Sequence, residues 1–277
     1  MRVGMHRYPL WLKRAVRPVV LRVRYAGLRS EDLILASYPR SGSTWLRFLL
    51  LESLTGRRAE WKDVNRLIPY VGGHRSIPTL FPGGRRLVST HDPKTGPCGR
   101  GILLVRDPRD VVLSYYRWTC LQGYDHDLET FLPSFLDGSL SLHGSWEKNT
   151  RFWLDSALQR EGQLHLVRFE DLRVDAATTI RQILLYMGAA VSDDAIQSAV
   201  EGNTIARSRE KEERSRPEDV RRYKAGGHFV HQGLVGAWRS TLTDDQVVRV
   251  EERVNDLLDR LGYRRAHQTF DGDSKVD

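Results

Sequence analysis

One run of residues, LILASYPRSGSTWLRFLL from Leu33 to Leu50, constrains this chain more than any other. It opens as an unbroken apolar stretch, the pattern of a strand buried on both faces. Pro39 and Gly42 then break it in a tight loop, and TWLRFLLLESLTG reads as a helix ended by Gly56. A strand turning this tightly into a helix aims unpaired helix N–H groups at the edge of a sheet. Such groups bind phosphate-like anions directly. Gly42 lets the backbone approach an anion closely. Ser41, Ser43 and Thr44 bring hydroxyl donors, and Arg40 a fixed charge able to clamp an anion through two hydrogen bonds. Taken alone, the segment is equally an ordinary strand-to-helix turn with capping Ser and Thr.

The rest of the chain repeats the alternation. RRLVST, GILLVRDP and QLHLVRFEDL read as three further strands. PRDVVLSYYRWTCLQ, DLETFLPSFLDG, WEKNTRFWLDSALQREG, ATTIRQILLYMG, SDDAIQSAVEG and TDDQVVRVEERVNDLLDRLGY read as helices. Fully apolar strands alternating with helices imply an α/β protein: a three-layer, P-loop-NTPase-like fold with a central parallel sheet flanked by helices. The 277 residues suffice for one large domain. It is expected over 31–265, after a basic, helical N-terminal segment (1–30) and before a polar tail (266–277). The charged, glycine-containing stretch from Ile205 to Leu234 reads as mobile. In the N-terminal segment, Trp11, Leu12, Ala15, Val16, Val19 and Val20 recur at helical spacing, with a bend expected at Pro18. The preferred reading packs this helix on its own domain. Peripheral contact with a membrane surface is the alternative.

Composition narrows the classes. No stretch approaches the roughly 18 apolar residues of a membrane span, and charge interrupts the N-terminal apolar residues, so a cytoplasmic protein is expected. Cys98 and Cys120 lack metal-site spacing, and the nine histidines form no HExxH pattern. No metal is expected. The net charge of +8 suits an anionic partner, but no nucleic-acid-binding signature accompanies it, and no nucleic acid is expected.

The Leu33 loop is not the ATP-type GxxxxGK[ST] loop. It is shorter and lacks the Lys-Ser/Thr pair that reaches the γ-phosphate and magnesium. The nearest magnesium-type aspartate, Asp107, sits inside a second motif, GILLVRDPRDVVLSYY. There Arg106 stands at a strand end, where α/β sheets place ligands, with Ser114 two helical turns on. Arg106 and Ser114 together can hold a second, separate phosphate.

YPRSGSTWL followed by LLVRDPRDVVLSYY resembles the cytosolic-type sulfotransferases that use PAPS (3'-phosphoadenosine 5'-phosphosulfate). Members of that family pair YPKSGTTW with a later RNPKDVxVSYY. A weaker third element, HQGLVGAWRS from His231 to Ser240, is similar to their RKGxxGDWKN. The resemblance runs from about Leu33 to Tyr263. It implies that Arg40, Ser41, Gly42, Ser43 and Thr44 hold the 5'-phosphosulfate and that Trp45 lies against the adenine. It implies that Arg106 and Ser114 hold the 3'-phosphate of PAPS and of the product PAP, with Gly233 in the C-terminal glycine loop. His231 and Gln232, expected with Gly233 to contact PAPS, stand where the family has Arg and Lys, and Arg40 stands where it has Lys. The family's C-terminal dimer motif, KxxxTVxxxE, has no counterpart after Arg239.

In-line transfer also needs a base for the acceptor's proton. LVSTHDP puts His91 just after a strand end and is similar to the family's KTHxP segment, whose His is that base. The Lys of that segment is Ser89 here. On the same resemblance Ser114 also restrains Arg40 until acceptor binds, so His91, Arg40 and Ser114 are the expected catalytic set. The expected acceptor is a hydroxyl, or less readily an amine, of a small molecule, lipid or glycan. The loops that would receive it offer Tyr70, Phe81, Trp118, Tyr124, Trp146, Tyr223 and Phe229, which suit a partly apolar or ring-bearing molecule. The main alternative is a magnesium-dependent nucleotide kinase on a P-loop fold.

Overall fold

The structure, a computed structural model, describes residues 10–80, 84–214, 227–230 and 233–266. In chain order the elements are α1 (Leu10–Tyr25), β1 (Leu33–Ser37), α2 (Ser43–Thr55), α3 (Trp61–Leu67), β2 (Leu87–Thr90), β3 (Arg100–Val105), α4 (Pro108–Leu121), α5 (Leu128–Asp137), α6 (Trp146–Leu154), α7 (Ala157–Arg160), β4 (Leu164–Arg168), α8 (Phe169–Val174), α9 (Ala176–Met187), α10 (Asp193–Glu201), α11 (Ile205–Arg214), α12 (Asp244–Val254) and α13 (Asp256–Arg260).

The four apolar runs form one parallel sheet in the order β2-β1-β3-β4. Leu33 lies opposite Leu87 on one side and Arg100 on the other, and Gly101 lies opposite Leu164. Every residue of β1 is buried, because its alternating side chains feed two cores. Ile34, Ala36, Val88, Leu103 and Val105 pack against α4, α5, α6 and α12, with Trp153 and Phe131 fully enclosed. Leu33, Leu35, Leu87, Ile102 and Leu104 pack against α2, α3, α9 and α10. Burying each such Leu or Phe contributes about 1.5–3 kcal/mol, so the sheet is fixed from both faces. This is the expected three-layer arrangement.

From β1 the chain passes to β2 on one side, then crosses to β3 on the other. Connections that part in this way leave a crevice outside the carboxyl ends of β1 and β3. The Arg40 loop and Arg106 sit at those two ends.

Several element readings need correction. The segment 146–162 is two helices, because Ser156 caps a new start through its hydroxyl, which accepts from Gln159 N at 3.3 Å. The closing helix is capped by Thr243 but breaks at Asn255, whose φ is 39°. α1 runs unbroken through Pro18.

Part of the stretch read as mobile is the regular helix α11. Two of its charges point inward. Lys211 Nζ donates to Glu52 and Asn203. The Glu212 carboxylate accepts from Phe229 N at 2.6 Å and Val230 N at 2.9 Å. Buried charges satisfied this fully pin α11 to α2 and bring Phe229 over the crevice.

Candidate active site

The crevice opens into a cavity of about 760 Å³. The β1 loop forms one wall. Arg40 is left-handed at φ 73° and Gly42 at φ 99°. A Cβ on Gly42 would lie 2.6 and 2.8 Å from the Phe169 ring, so only glycine closes this loop. The turn delivers Ser43 and Thr44 to the start of α2, and Pro39, Arg40, Gly42, Ser43, Thr44 and Trp45 all line the cavity. Ser41 does not share that position. Its hydroxyl is buried and its N–H donates to Tyr38 O at 3.3 Å. Trp45 lies at the cavity wall, its indole N–H donating to Asn203 O at 2.8 Å and its ring edge-on to Phe169.

The second wall comes from β3 and α4. Asp107 caps α4, its carboxylate accepting from Arg109 N at 2.9 Å. Asp110 accepts from Gly236 N and Trp238 N and so anchors the C-terminal glycine segment. Arg106 is buried over the Phe169 ring and donates to Leu234 O at 2.9 Å and Arg40 O at 3.3 Å. Its Nε has no hydrogen-bond partner among the described residues.

Arg40 bridges the two walls. Its Nε donates to Ser114 Oγ at 3.4 Å, and its guanidinium lies 4.5 Å above the Phe229 ring. Gly233, at φ 54°, lines the cavity within reach of Phe169. His231 and Gln232 lie outside the described residues.

Positive charge gathers here. Burial, with Arg40, Arg106 and Arg209 nearby, pushes the Arg117 pKa down to about 10. Arg117 and Arg173 line the same cavity as Arg40 and Arg106. Arginines crowded together out of water are costly unless a polyanion joins them. A nucleotide with two phosphate groups has that charge, and the donor chemistry of the cavity fits it.

His91 lies across the cavity from Arg106, at the end of β2. Its Nδ1–H donates to Ser37 O at 2.8 Å, and its own carbonyl accepts from Asn149 Nδ2 at 2.8 Å. These bonds fix one tautomer and leave Nε2 as a lone-pair acceptor. Burial first, then His143 and Arg47, push the pKa down to about 3. The ring is therefore neutral at and above pH 5 and charges only as pH falls through that lowered value. Nitrogen NMR should show His91 as the Nδ1–H tautomer from pH 8 down to pH 5. A midpoint near 6.5 would mean that the pocket is wet and the ring unconstrained.

Beside His91 stands a pair, His143 and Asp92, that the sequence did not signal. His143 Nδ1 contacts Asp92 Oδ1 at 2.8 Å, and the two imidazole rings meet edge to face at 5.6 Å. Asp92, 1% exposed, is also paired with Arg17 of α1. Tyr70 stacks obliquely on His91 and reaches Ser43 Oγ through its hydroxyl.

Residues 30–262 match the family model described as Sulfotransferase domain. The chain belongs to the sulfotransferase domain family. It is 27% identical to Sulfotransferase 2A1 of Rattus norvegicus over 241 residues, covering 79% of this chain and 81% of that protein. It is 28% identical to Sulfotransferase 2A2 of Mus musculus over 242 residues, covering 78% and 80%. Among solved structures, retinol dehydratase in a complex with retinol and PAP matches with a TM-score of 0.66 at 20% identity, covering 90% of this chain and 88% of that one. Mouse sulfotransferase SULT7A1 complexed with PAP matches at 0.67 and 17% identity, covering 90% and 94%. At these identities the two structures speak for a shared fold.

This sulfotransferase thus brings Arg40, Gly42, Ser43, Thr44, Trp45, His91, Arg106, Ser114 and Gly233 around one cavity. Of the aromatics expected at an acceptor site, Tyr70, Trp118 and Phe229 line it, whereas Trp146 is 2% exposed and belongs to the core. Tyr124 packs on Phe131 and His126 instead. Phe81 and Tyr223 lie outside the described residues. Phe169 is the main omission from the sequence reading. It touches both glycine segments and stacks with Arg106; the sequence placed it inside the strand QLHLVRFEDL, whereas β4 ends at Arg168 and Phe169 opens α8.

Proposed function

We propose that this sulfotransferase moves a sulfuryl group from PAPS to a hydroxyl of a partly apolar acceptor and releases PAP. The observation that carries the reading is the contact of Arg40 with Ser114 at 3.4 Å between two cation-bearing strand ends. The start of α2, with Ser43, Thr44 and Arg40, suits the 5'-phosphosulfate. Arg106, whose Nε has no partner among the described residues, suits the 3'-phosphate. Tyr70, Tyr116 and Trp118 line the rest of the cavity and favour a small ring-bearing or lipid-like alcohol over an open polysaccharide.

In the transfer, the acceptor oxygen bonds to sulfur as the bond from sulfur to the bridging phosphate oxygen breaks. The acceptor proton goes to Nε2 of His91, and the electron pair leaves with PAP. Arg40 stabilises charge growing on the bridging oxygen. The free imidazole is a weak base at a pKa of about 3. The negative charge of PAPS beside it raises that pKa, so the base strengthens once the donor is in place.

The test is turnover of labelled PAPS across a library of phenols, sterols, alcohols, amines and sugars, read by mass shift. The companion measurement is thermal melting with PAP. A raised melting temperature and a sulfated phenol or alcohol are expected. No melting shift at millimolar PAP would remove the nucleotide assignment, and magnesium-dependent ATP consumption would favour a kinase.

A further inference from the structure

The carboxyl edge of the sheet accounts for sulfuryl transfer, and α1 plays no direct part there. Its inner side is held largely by polar contacts. Arg14 donates to the carbonyls of Gly138 and Ser139, Arg24 to Val71 O, and Arg17 to Asp92, while the Tyr25 hydroxyl meets Thr90 at 2.8 Å. Leu21 packs on the core, but other apolar side chains turn outward. Trp11, Ala15, Val19 and Val23, each four residues from the next, form one exposed ridge, with Trp11 69%, Val19 68% and Val23 56% exposed. Residues four apart lie on one face of a helix, so the ridge is continuous along α1.

Charge points to what covers the ridge. Residues 1–30 hold eight Lys and Arg and no Asp or Glu. The chain as a whole has 43 basic and 35 acidic residues, so everything after residue 30 is balanced and the whole net charge belongs to this segment. We propose that the outward face of α1 docks this protein on an anionic lipid surface, with the Trp11–Val23 ridge in the headgroup layer and the cations not bonded inward, such as Arg22, on lipid phosphates and carboxylates. An apolar face flanked by Lys and Arg is the pattern of a helix lying in a membrane interface. A second copy would set eight cations against eight with no acid between them, which repels. Nucleic acid would match the charge but leave the apolar ridge in water. No helix among the described residues is long and apolar enough to cross a membrane.

The experiment is sedimentation of the full chain with vesicles of phosphatidylcholine alone or with about a quarter phosphatidylserine. The protein should pellet with the anionic vesicles, stay largely free of the neutral ones, and be released by salt. Trp11→Glu with Val19→Glu should lower the bound fraction at least about tenfold, while melting temperature and its PAP-induced shift stay as in the parent. A protein that remains in the supernatant overturns the proposal, as does a double variant that binds like the parent. Concentration-dependent dimers dissolved by the double variant would assign the ridge to a second copy. Release from vesicles by duplex DNA, undiminished in the double variant, would assign the charge to nucleic acid.

Discussion

His91→Ala should lower kcat by about 10²- to 10⁴-fold, the usual worth of a positioned general base, while PAP affinity changes by less than about twofold. The separation follows from the geometry. His91 lies at the end of β2, whereas the residues suited to the two phosphates sit on the β1 loop and at the end of β3. The imidazole bonds to Ser37 O and carries no charge at neutral pH, so removing it does not alter the charge of the nucleotide cradle. Calorimetry with PAP and turnover with labelled PAPS measure the two quantities. An unchanged kcat would take His91 out of the proton path and leave the neighbouring His143–Asp92 pair as the base to examine. A lost PAP affinity with an unchanged melting temperature would place His91 in nucleotide binding instead.

Gly42→Ala should lower the melting temperature by several degrees and weaken PAP binding by at least about tenfold. Two costs add. A side chain at φ 99° costs about 1–3 kcal/mol, which for a chain of this size is several degrees. The new methyl would also sit 2.6 Å from the Phe169 ring, pushing the loop away from the ring that supports Arg106. Phe169→Leu in the Gly42→Ala background separates the two. It should recover part of the melting temperature by opening space but none of the backbone cost. If Gly42→Ala melts and binds like the parent, the loop does not need its left-handed turn, and the cradle must be set by the hydroxyls and arginines alone.

The sequence made the strands and the cradle legible because they depend on neighbours in the chain. Four apolar runs ended in turn residues, and Gly42 and Arg106 stood at their ends. The remainder depended on long-range meetings that no local pattern records. His143 reaches Asp92 and His91 from the loop before α6. Phe169 joins Gly42 to Gly233 from the end of the edge strand β4. In α11 the alternation of acids and bases concealed an inward face, because Lys211 and Glu212 find partners on α2 and near Phe229. The break at Asn255 was hidden for a different reason. The apolar spacing continues across it, through Val254, Leu257 and Leu258, which are all buried, so the periodicity gave no sign of the turn.

The pairing of Arg17 with Asp92 has a consequence for how α1 can change. Arg24 also lies within 3.9 Å of that carboxylate, and Asp92 in turn contacts His143, the neighbour of His91. A helix that presents a ridge to the outside therefore holds, from its inner side, the counter-charges of an acid close to His91. Residues on the outward ridge are free to drift with whatever surface they meet. Arg17 and Arg24 on the inner side are tied to Asp92, so the two sides of the same short helix answer to different selective demands.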